Sequence, residues 1–359
     1  MTGENMTDAR LQELISWTNE LLDQLLDDKQ GNVELEPVSG DASFRRYFRA
    51  RVGGDTYIAV DAPPEHEDNQ TFVHLSNLLL ASGISAPKVY SVDYVQGFML
   101  LVDLGDDLYL PALLHYQRND DMASSEALYS QAIDALVLIQ SGLDKSLLPA
   151  YTVEKLLEEM QLFPIWFCES FLSFKFDEAG TALCNSTFLW LAEQISGQHQ
   201  VAVHRDYHSR NLMELDTSKF GVGCGPGVID FQDAVSGTYT YDLVSLLRDC
   251  YISWPKQQVE DWASLYLVKA QAAGLLAGYT EVQLIRDMNI AGLQRNLKVI
   301  GIFARLSIRD NKSQYLADIP LVVKYFLDIS AQFEEMAEFR AWFITEVLPL
   351  AKAKLQLET

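Results

Sequence analysis

The hydrophobic pattern of this chain changes period once, near residue 105, and that change limits the folds open to it. Before Gly105 the apolar residues gather in short blocks rich in β-branched and aromatic side chains: 44–52, 56–60, 88–93 and 97–104. After Gly105 they recur every three or four positions, over 125–142, 152–174, 183–197, 240–252, 256–274, 280–309 and 318–354. One island of strand and loop, 201–236, interrupts this helical stretch. The pattern predicts an α+β chain with a small antiparallel-sheet half, 1–104, and a large, mainly helical half, 105–359. A length of 359 residues fits about two domains.

Local signals fill in the first half. Leu11, Leu14, Ile15, Leu21, Leu22, Leu25 and Leu26 predict an amphipathic helix over 8–27. Gly53-Gly54-Asp55 between two strand-like runs reads as a hairpin turn. Phe72, Leu75, Leu78 and Leu79 define a helix over 67–81, which Gly83 ends. There is no internal repeat, low-complexity tract or long linker.

Charge narrows the partners. Lys and Arg number 27 against 50 Asp and Glu, a formal net charge of −23. So acidic a chain is not expected to bind nucleic acid or an anionic membrane, both of which reward a basic face. A nucleotide remains possible, because a phosphate site needs only a few local donors. No window approaches the roughly 18 uninterrupted apolar residues of a membrane span. The N-terminus lacks the basic start of a signal peptide. Cys168, Cys184, Cys224 and Cys250 are widely spaced with no CxxC, so free thiols in a reducing cytoplasm are expected.

The non-helical island holds the candidate chemistry, since loops on rigid scaffolds carry function. It reads Val201-Ala202-Val203-His204-Arg205-Asp206-Tyr207-His208-Ser209-Arg210-Asn211-Leu212, then Gly227-Val228-Ile229-Asp230-Phe231-Gln232-Asp233. Apolar runs flank both segments, so each polar set sits at the end of a buried strand. Phosphoryl transfer needs a carboxylate to orient a hydroxyl and accept its proton. It also needs an Asn oxygen and a second carboxylate to hold Mg2+ against the phosphates. Asp206, Asn211 and Asp230 supply those groups. Zinc is not expected at His204 and His208: no Glu completes H-E-x-x-H and the stretch is not helical. The glycines from Gly221 to Gly227 have no helix after them and read as a hairpin loop, not a dinucleotide site.

The two motifs resemble the aminoglycoside phosphotransferase and choline kinase branch of the protein-kinase-like fold, with H-x-D-x-x-x-x-N and I-D-F. Gly237-Thr238-Tyr239-Thr240-Tyr241-Asp242-Leu243 is similar to that family's G-D-P-x-x-D-L, with Thr238 and Tyr239 departing from it. Three further stretches, 41–49, 60–65 and 293–306, are closer to the cytoplasmic anomeric kinases of N-acetylmuramate and N-acetylglucosamine in cell-wall recycling. The resemblance implies a two-lobe fold, ATP and Mg2+ as cofactors, and a small amino-sugar acceptor. It implies Asp206 as base, Asn211 and Asp230 as metal ligands, and His204 and Asp242 as supports of the loop. The turn at Ser43 would cover the phosphates, and backbone groups around Val102 to Leu104 would pair with adenine.

One expected part is missing. The strand Tyr57-Ile58-Ala59-Val60 ends in Asp61 where the family has a phosphate-binding Lys. Arg45 or Arg46 is the candidate substitute, with a solvated basic edge as the competing reading. Substrate candidates are His208, Arg210, Asp233, Arg248 and Arg295; Arg210, Arg248 and Arg295 could meet the carboxylate of N-acetylmuramate. The sequence thus predicts a monomeric ATP-dependent sugar kinase. The alternatives are an aminoglycoside, choline or homoserine-type kinase, or a nucleotide-binding pseudokinase that regulates a partner.

Overall fold

A computed structural model describes residues 8–26, 33–38 and 44–355. The chain divides into two compact units: Met1–Asp107 with Met213–Gln232, and Leu108–Leu212 with Asp233–Thr359. Residues 105–107 and 213–232, expected in the helical half, thus belong with the sheet.

The first unit is a five-stranded antiparallel sheet in the order β1-β2-β3-β5-β4. Its strands are β1 (Leu35–Val38), β2 (Arg46–Val52), β3 (Asp55–Asp61), β4 (Val89–Asp93) and β5 (Phe98–Val102). The sequence pattern did not mark β1, which is short and contains Pro37. Gly53 and Gly54 turn β2 into β3 at φ of 58° and 98°, the conformation a tight hairpin needs. The register pairs Arg46 with Asp61 and Phe48 with Ala59. Helix α1 (Ala9–Leu25) is capped by Asp8, whose side chain accepts from the Leu11 amide at 3.2 Å. Its Leu14 and Leu22 pack on Phe48, Ala50, Ala59, Phe98 and Leu100. Helix α2 (Asn69–Ala81) follows β3. Gly97 precedes β5 at φ 75°; a Cβ there would lie 2.1 Å from the Ala62 carbonyl oxygen. The later segment adds the short helix α7 (Thr217–Phe220) and strand β8 (Gly227–Val228), whose Val228 amide donates to the Ser85 carbonyl at 2.8 Å.

The second unit is mainly helical: α3 (Tyr109–Arg118), α4 (Met122–Gly142), α5 (Val153–Met160), α6 (Glu178–Ser196), α8 (Thr240–Leu247), α9 (Lys256–Ala272), α10 (Glu281–Arg309), α11 (Ile319–Ser330), α12 (Ala337–Trp342) and α13 (Leu348–Leu355). Strands β6 (Gln200–Val203) and β9 (Val235–Thr238) form an antiparallel pair, and β7 (Leu212–Met213) carries the chain out of the unit. Helix α10 is buried continuously from Met288 to Gly301. At Gly301 a Cβ would come within 2.3 Å of the Leu162 backbone, so only glycine allows this approach. The expected single helices over 152–174 and 318–354 are both broken. Pro164 and Pro349 lack the N–H that would continue the α ladder, and π turns appear at Phe163–Phe171 and Phe343–Val347. All four cysteines are free thiols. Among the described residues, no helix is long and apolar enough to cross a membrane.

Candidate active site

In the helical unit, β6 leads directly into the loop 204–211. Asp242, fully buried in the first turn of α8, holds the start of that loop. One carboxylate oxygen accepts the His204 amide at 2.6 Å and the other the Arg205 amide at 2.9 Å. Burial pushes Asp242 up to about 7, the two amides pulling against it and the nearby Asp206 adding to the rise. Arg205 sits at φ 77°, a conformation costly for a side chain with a Cβ. Its guanidinium is pinned by Glu159 of α5 at 2.5 Å and by the Asp233 carbonyl at 3.4 Å.

The rest of the loop is closed by its own hydrogen bonds. The His208 amide donates to the Asp206 carbonyl at 3.0 Å, and the Asn211 amide to the His208 carbonyl at 2.9 Å. Asn211 Nδ2 donates to the Asp206 carbonyl at 3.0 Å, which fixes the oxygen as the opposite end of that side chain. Tyr207, fully buried, anchors the loop below through its hydroxyl to the Ala132 carbonyl at 2.8 Å. Ser209 donates its amide (3.1 Å) and hydroxyl (2.5 Å) to Asp249. The Asp206 and Asn211 side chains therefore leave a loop with almost no remaining backbone freedom.

The electrostatics keep Asp206 ionised. Burial would raise its pKa, but Lys298, His208, His204 and Arg205 outweigh burial and hold it below the usual carboxylate range. Lys298 rises from α10 into a buried cluster. Its Nζ lies 3.3 Å from Glu159 and donates to the Tyr241 hydroxyl at 3.0 Å. Tyr151 and Gln294 also donate to Glu159. Glu159, Lys298 and Asp249 were not singled out from the sequence. A usable signal existed for Lys298: four consecutive-turn polar residues, Gln294, Arg295, Asn296 and Lys298, lie in a helix with no exposed face to receive them. Glu159 had none, since α5 reads as an ordinary amphipathic helix.

The other candidates of this unit scatter around the loop. His208 meets the edge of Tyr251 at 5.5 Å, and its Nδ1 is buried without a hydrogen-bonding partner among the described residues. Arg210 stacks over Tyr251 at 4.8 Å and Tyr315 at 5.8 Å. Asp233 is exposed and touches the loop only through its carbonyl. Arg248 donates to Asn289 at 2.7 Å. Arg295 is buried.

In the sheet unit, Asp230 follows β8 at φ 64° and accepts from Gln232 Nε2 at 2.6 Å. The next residue, Phe231, is buried and stacks on Phe72 of α2 at 5.0 Å. Arg45 lies over the same Phe72 ring at 5.0 Å, 3.2 Å from Glu67. Tyr47 links this corner to Asp230: burial raises its pKa to about 12, Arg45 lowers it and Asp230 raises it. Arg46 faces elsewhere. It bonds Asp61 at 2.5 Å and also pairs with Asp8. Asp61, fully buried, takes a second guanidinium from Arg10. The carboxylate in the place of the family lysine is thus neutralised inside the sheet unit, and the expectation that Arg46 replaces that lysine meets a guanidinium already held by two carboxylates.

The turn after β5 is held by Arg49, which pairs with Asp103 at 2.6 Å and Asp106 at 2.7 Å. The Gly105 amide donates to Asp103 at 2.9 Å. The Val102 amide donates to the Lys88 carbonyl at 2.9 Å, so that N–H is not available for the adenine pairing expected of it. Leu104 is buried beside Gly227. Ser43 and the turn around it lie outside the described residues.

Asp230 and Asn211 offer a carboxylate and an amide oxygen, hard donors of the kind Mg2+ takes. Among the described residues no three His, Cys, Asp or Glu side chains gather as a metal cage. That fits an ion held chiefly by phosphates, which needs only one or two protein ligands.

A mainly helical unit that carries this loop and a five-stranded sheet unit together define a kinase-like phosphotransferase. The phosphotransferase enzyme family matches residues 34–285, and the chain belongs to that family. Curated relatives include the N-acetylmuramate/N-acetylglucosamine kinase of Pseudomonas putida, 39% identical over 335 residues that cover 92% of this chain and 95% of that protein. The protein of the same name from Pseudomonas aeruginosa is 38% identical over the same shares. Among solved structures, the choline kinase LicA from Streptococcus pneumoniae superposes with a TM-score of 0.58 at 14% identity, over 88% of this chain and 99% of that one. At that identity the likeness concerns the fold.

Proposed function

We propose that this phosphotransferase is an ATP-dependent sugar kinase whose acceptor is the C1 hydroxyl of N-acetylmuramate and N-acetylglucosamine. The observation that carries the reading is the closed loop around Asp206, which aims an ionised carboxylate from a backbone locked by Asp242, Asn211 and Tyr207. The acceptor class comes from the names of the curated relatives.

Asp206 hydrogen-bonds the anomeric hydroxyl, orients its oxygen in line with the γ-phosphorus and takes the proton as the new O–P bond forms and the bond to ADP breaks. A hemiacetal hydroxyl is more acidic than an ordinary alcohol, so even a weakly basic carboxylate suffices. Asn211 and Asp230 hold Mg2+, which when bound neutralises phosphate charge. Arg45, close to Tyr47 and Glu67, takes over the phosphate contact of the missing lysine. Residues 102–104 receive adenine through backbone groups other than the Val102 amide. The protein acts as a cytoplasmic monomer, a state that light scattering on the purified chain measures.

The test is a phosphate-transfer assay with γ-labelled ATP over N-acetylmuramate, N-acetylglucosamine, choline, homoserine and an aminoglycoside. Labelled sugar 1-phosphate is the expected product. Labelled choline, homoserine or drug would replace the acceptor assignment. Nucleotide binding with no transfer to any acceptor would make the chain a pseudokinase.

A further inference from the structure

Among the described residues, Arg295 is a buried cation with no carboxylate in direct contact, though the acidic groups around it outweigh its burial and favour its charge. It lies in the middle of α10, 4% exposed, and among the described residues it makes no ion pair and no hydrogen bond. The charges around it belong to Asp249 and Asp206, with Cys250 and Tyr241 beside them. Neither carboxylate is delivered to it. Asp249 gives one oxygen to the amide and hydroxyl of Ser209, at 3.1 and 2.5 Å, and the other to the Tyr251 amide at 3.1 Å. Asp206 is balanced chiefly by Lys298.

A second guanidinium stands against the same face of α10. Arg248, at the end of α8, donates one nitrogen to Asn289 at 2.7 Å, and its Nη1 would lie 3.4 Å from a Cβ on Gly292. Asn289, Gly292 and Arg295 follow one another at intervals of three along the helix. Nη1 of Arg248 is buried with no hydrogen-bonding partner among the described residues. Tyr325 of α11 feels both arginines, together with Asp249. Two guanidiniums with unmatched donors therefore meet at one face of α10, both within electrostatic reach of Tyr325.

Leaving guanidinium N–H donors without acceptors inside the fold is costly, and a fold that does so has a use for them. The flat fork of an arginine suits a carboxylate. We infer that Arg295 and Arg248 form an anion subsite that receives the acceptor's carboxylate and so favours N-acetylmuramate over N-acetylglucosamine. This rests on the proposed acceptor class: the two sugars differ by the lactyl ether, which alone carries a carboxylate. Arg210 is not part of the subsite, since it lies over Tyr251 and Tyr315.

The measurement is the ratio of kcat/KM for N-acetylmuramate to that for N-acetylglucosamine, in wild type, R295M, R295K and R248M. The ratio falls about ten- to a hundredfold in R295M, the range of one lost charge-assisted hydrogen bond. R295K retains part of it, because an ammonium keeps the charge but not the fork. Melting curves identify a variant that fails to fold, and R295K and R248M then carry the test. A ratio that stays at the wild-type value in all folded variants overturns the subsite. So does a loss that appears as a raised KM for ATP with either sugar, since the arginines would then serve phosphate. A wild-type chain that phosphorylates neither sugar overturns the proposed function, and the carboxylate assignment with it.

Discussion

Replacing Lys298 by Met tests whether the buried cluster behind the loop sets the charge of Asp206. The ammonium lies 3.3 Å from Glu159 and is the largest influence holding the Asp206 pKa down against burial. At an effective dielectric of about 20, charges 3.3 Å apart interact by roughly 5 kcal/mol, which bounds the effect on Glu159 from above. Arg205 remains 2.5 Å from Glu159, so that carboxylate keeps a partner and the stability loss stays near the lower end of the ~3–5 kcal/mol seen for broken buried pairs. Asp206 loses its main compensating charge and its pKa rises. The active form is the carboxylate, so activity is lost as pH falls through that pKa. The acid limb of kcat/KM therefore moves to higher pH in K298M, by about one unit or more, equivalent to ~1.4 kcal/mol. K298R keeps the charge and keeps the limb near its wild-type position. The assay is a pH–rate profile that starts at about pH 3, below the usual carboxylate range, so that the wild-type acid limb is included, with urea melts to measure stability. An acid limb within about 0.3 unit of wild type in folded K298M would refute the electrostatic argument.

Asp206→Asn lowers kcat by about 10²–10⁴ with little change in melting temperature, the scale of a lost general base, and wild-type turnover would remove Asp206 from that role. Arg45→Ala raises the KM for ATP or lowers kcat about ten- to a hundredfold, whereas Arg46→Ala acts on stability by leaving buried Asp61 with Arg10 alone; steady-state kinetics beside thermal melts separates the two. Gly97→Ala costs about 2–4 kcal/mol, because the added Cβ meets the Ala62 carbonyl at 2.1 Å and φ is 75°; a urea midpoint equal to wild type would contradict that packing. Asp242 binds its proton more firmly folded, at about 7 against 3.8, so the folded state holds more protons in that interval. Its contribution to stability is full below the unfolded pKa and falls as pH rises from about 4 to about 7, a slope present in wild type and absent from D242N in urea melts taken across that range.

The sequence by itself determined the architecture and pointed to the candidate reacting groups. Hydrophobic pattern is a local property: short strand-like apolar blocks in 44–60 and 88–104, then helical spacing, predicted a sheet followed by helices before any contact was known. The loop His204 to Asn211 was legible because its groups lie within eight consecutive positions, where spacing alone constrains geometry. The strand β1 was not, being four residues with a proline, and the breaks in the long helices were signalled by Pro164 and Pro349 but masked by the helical spacing around them. What only the tertiary structure decided was charge pairing. Asp61 with Arg10 and Arg46, and Glu159 with Arg205 and Lys298, are relations between residues up to 139 positions apart. Whether a buried charge is balanced depends on distances of a few ångströms across the fold, and no local pattern encodes those distances.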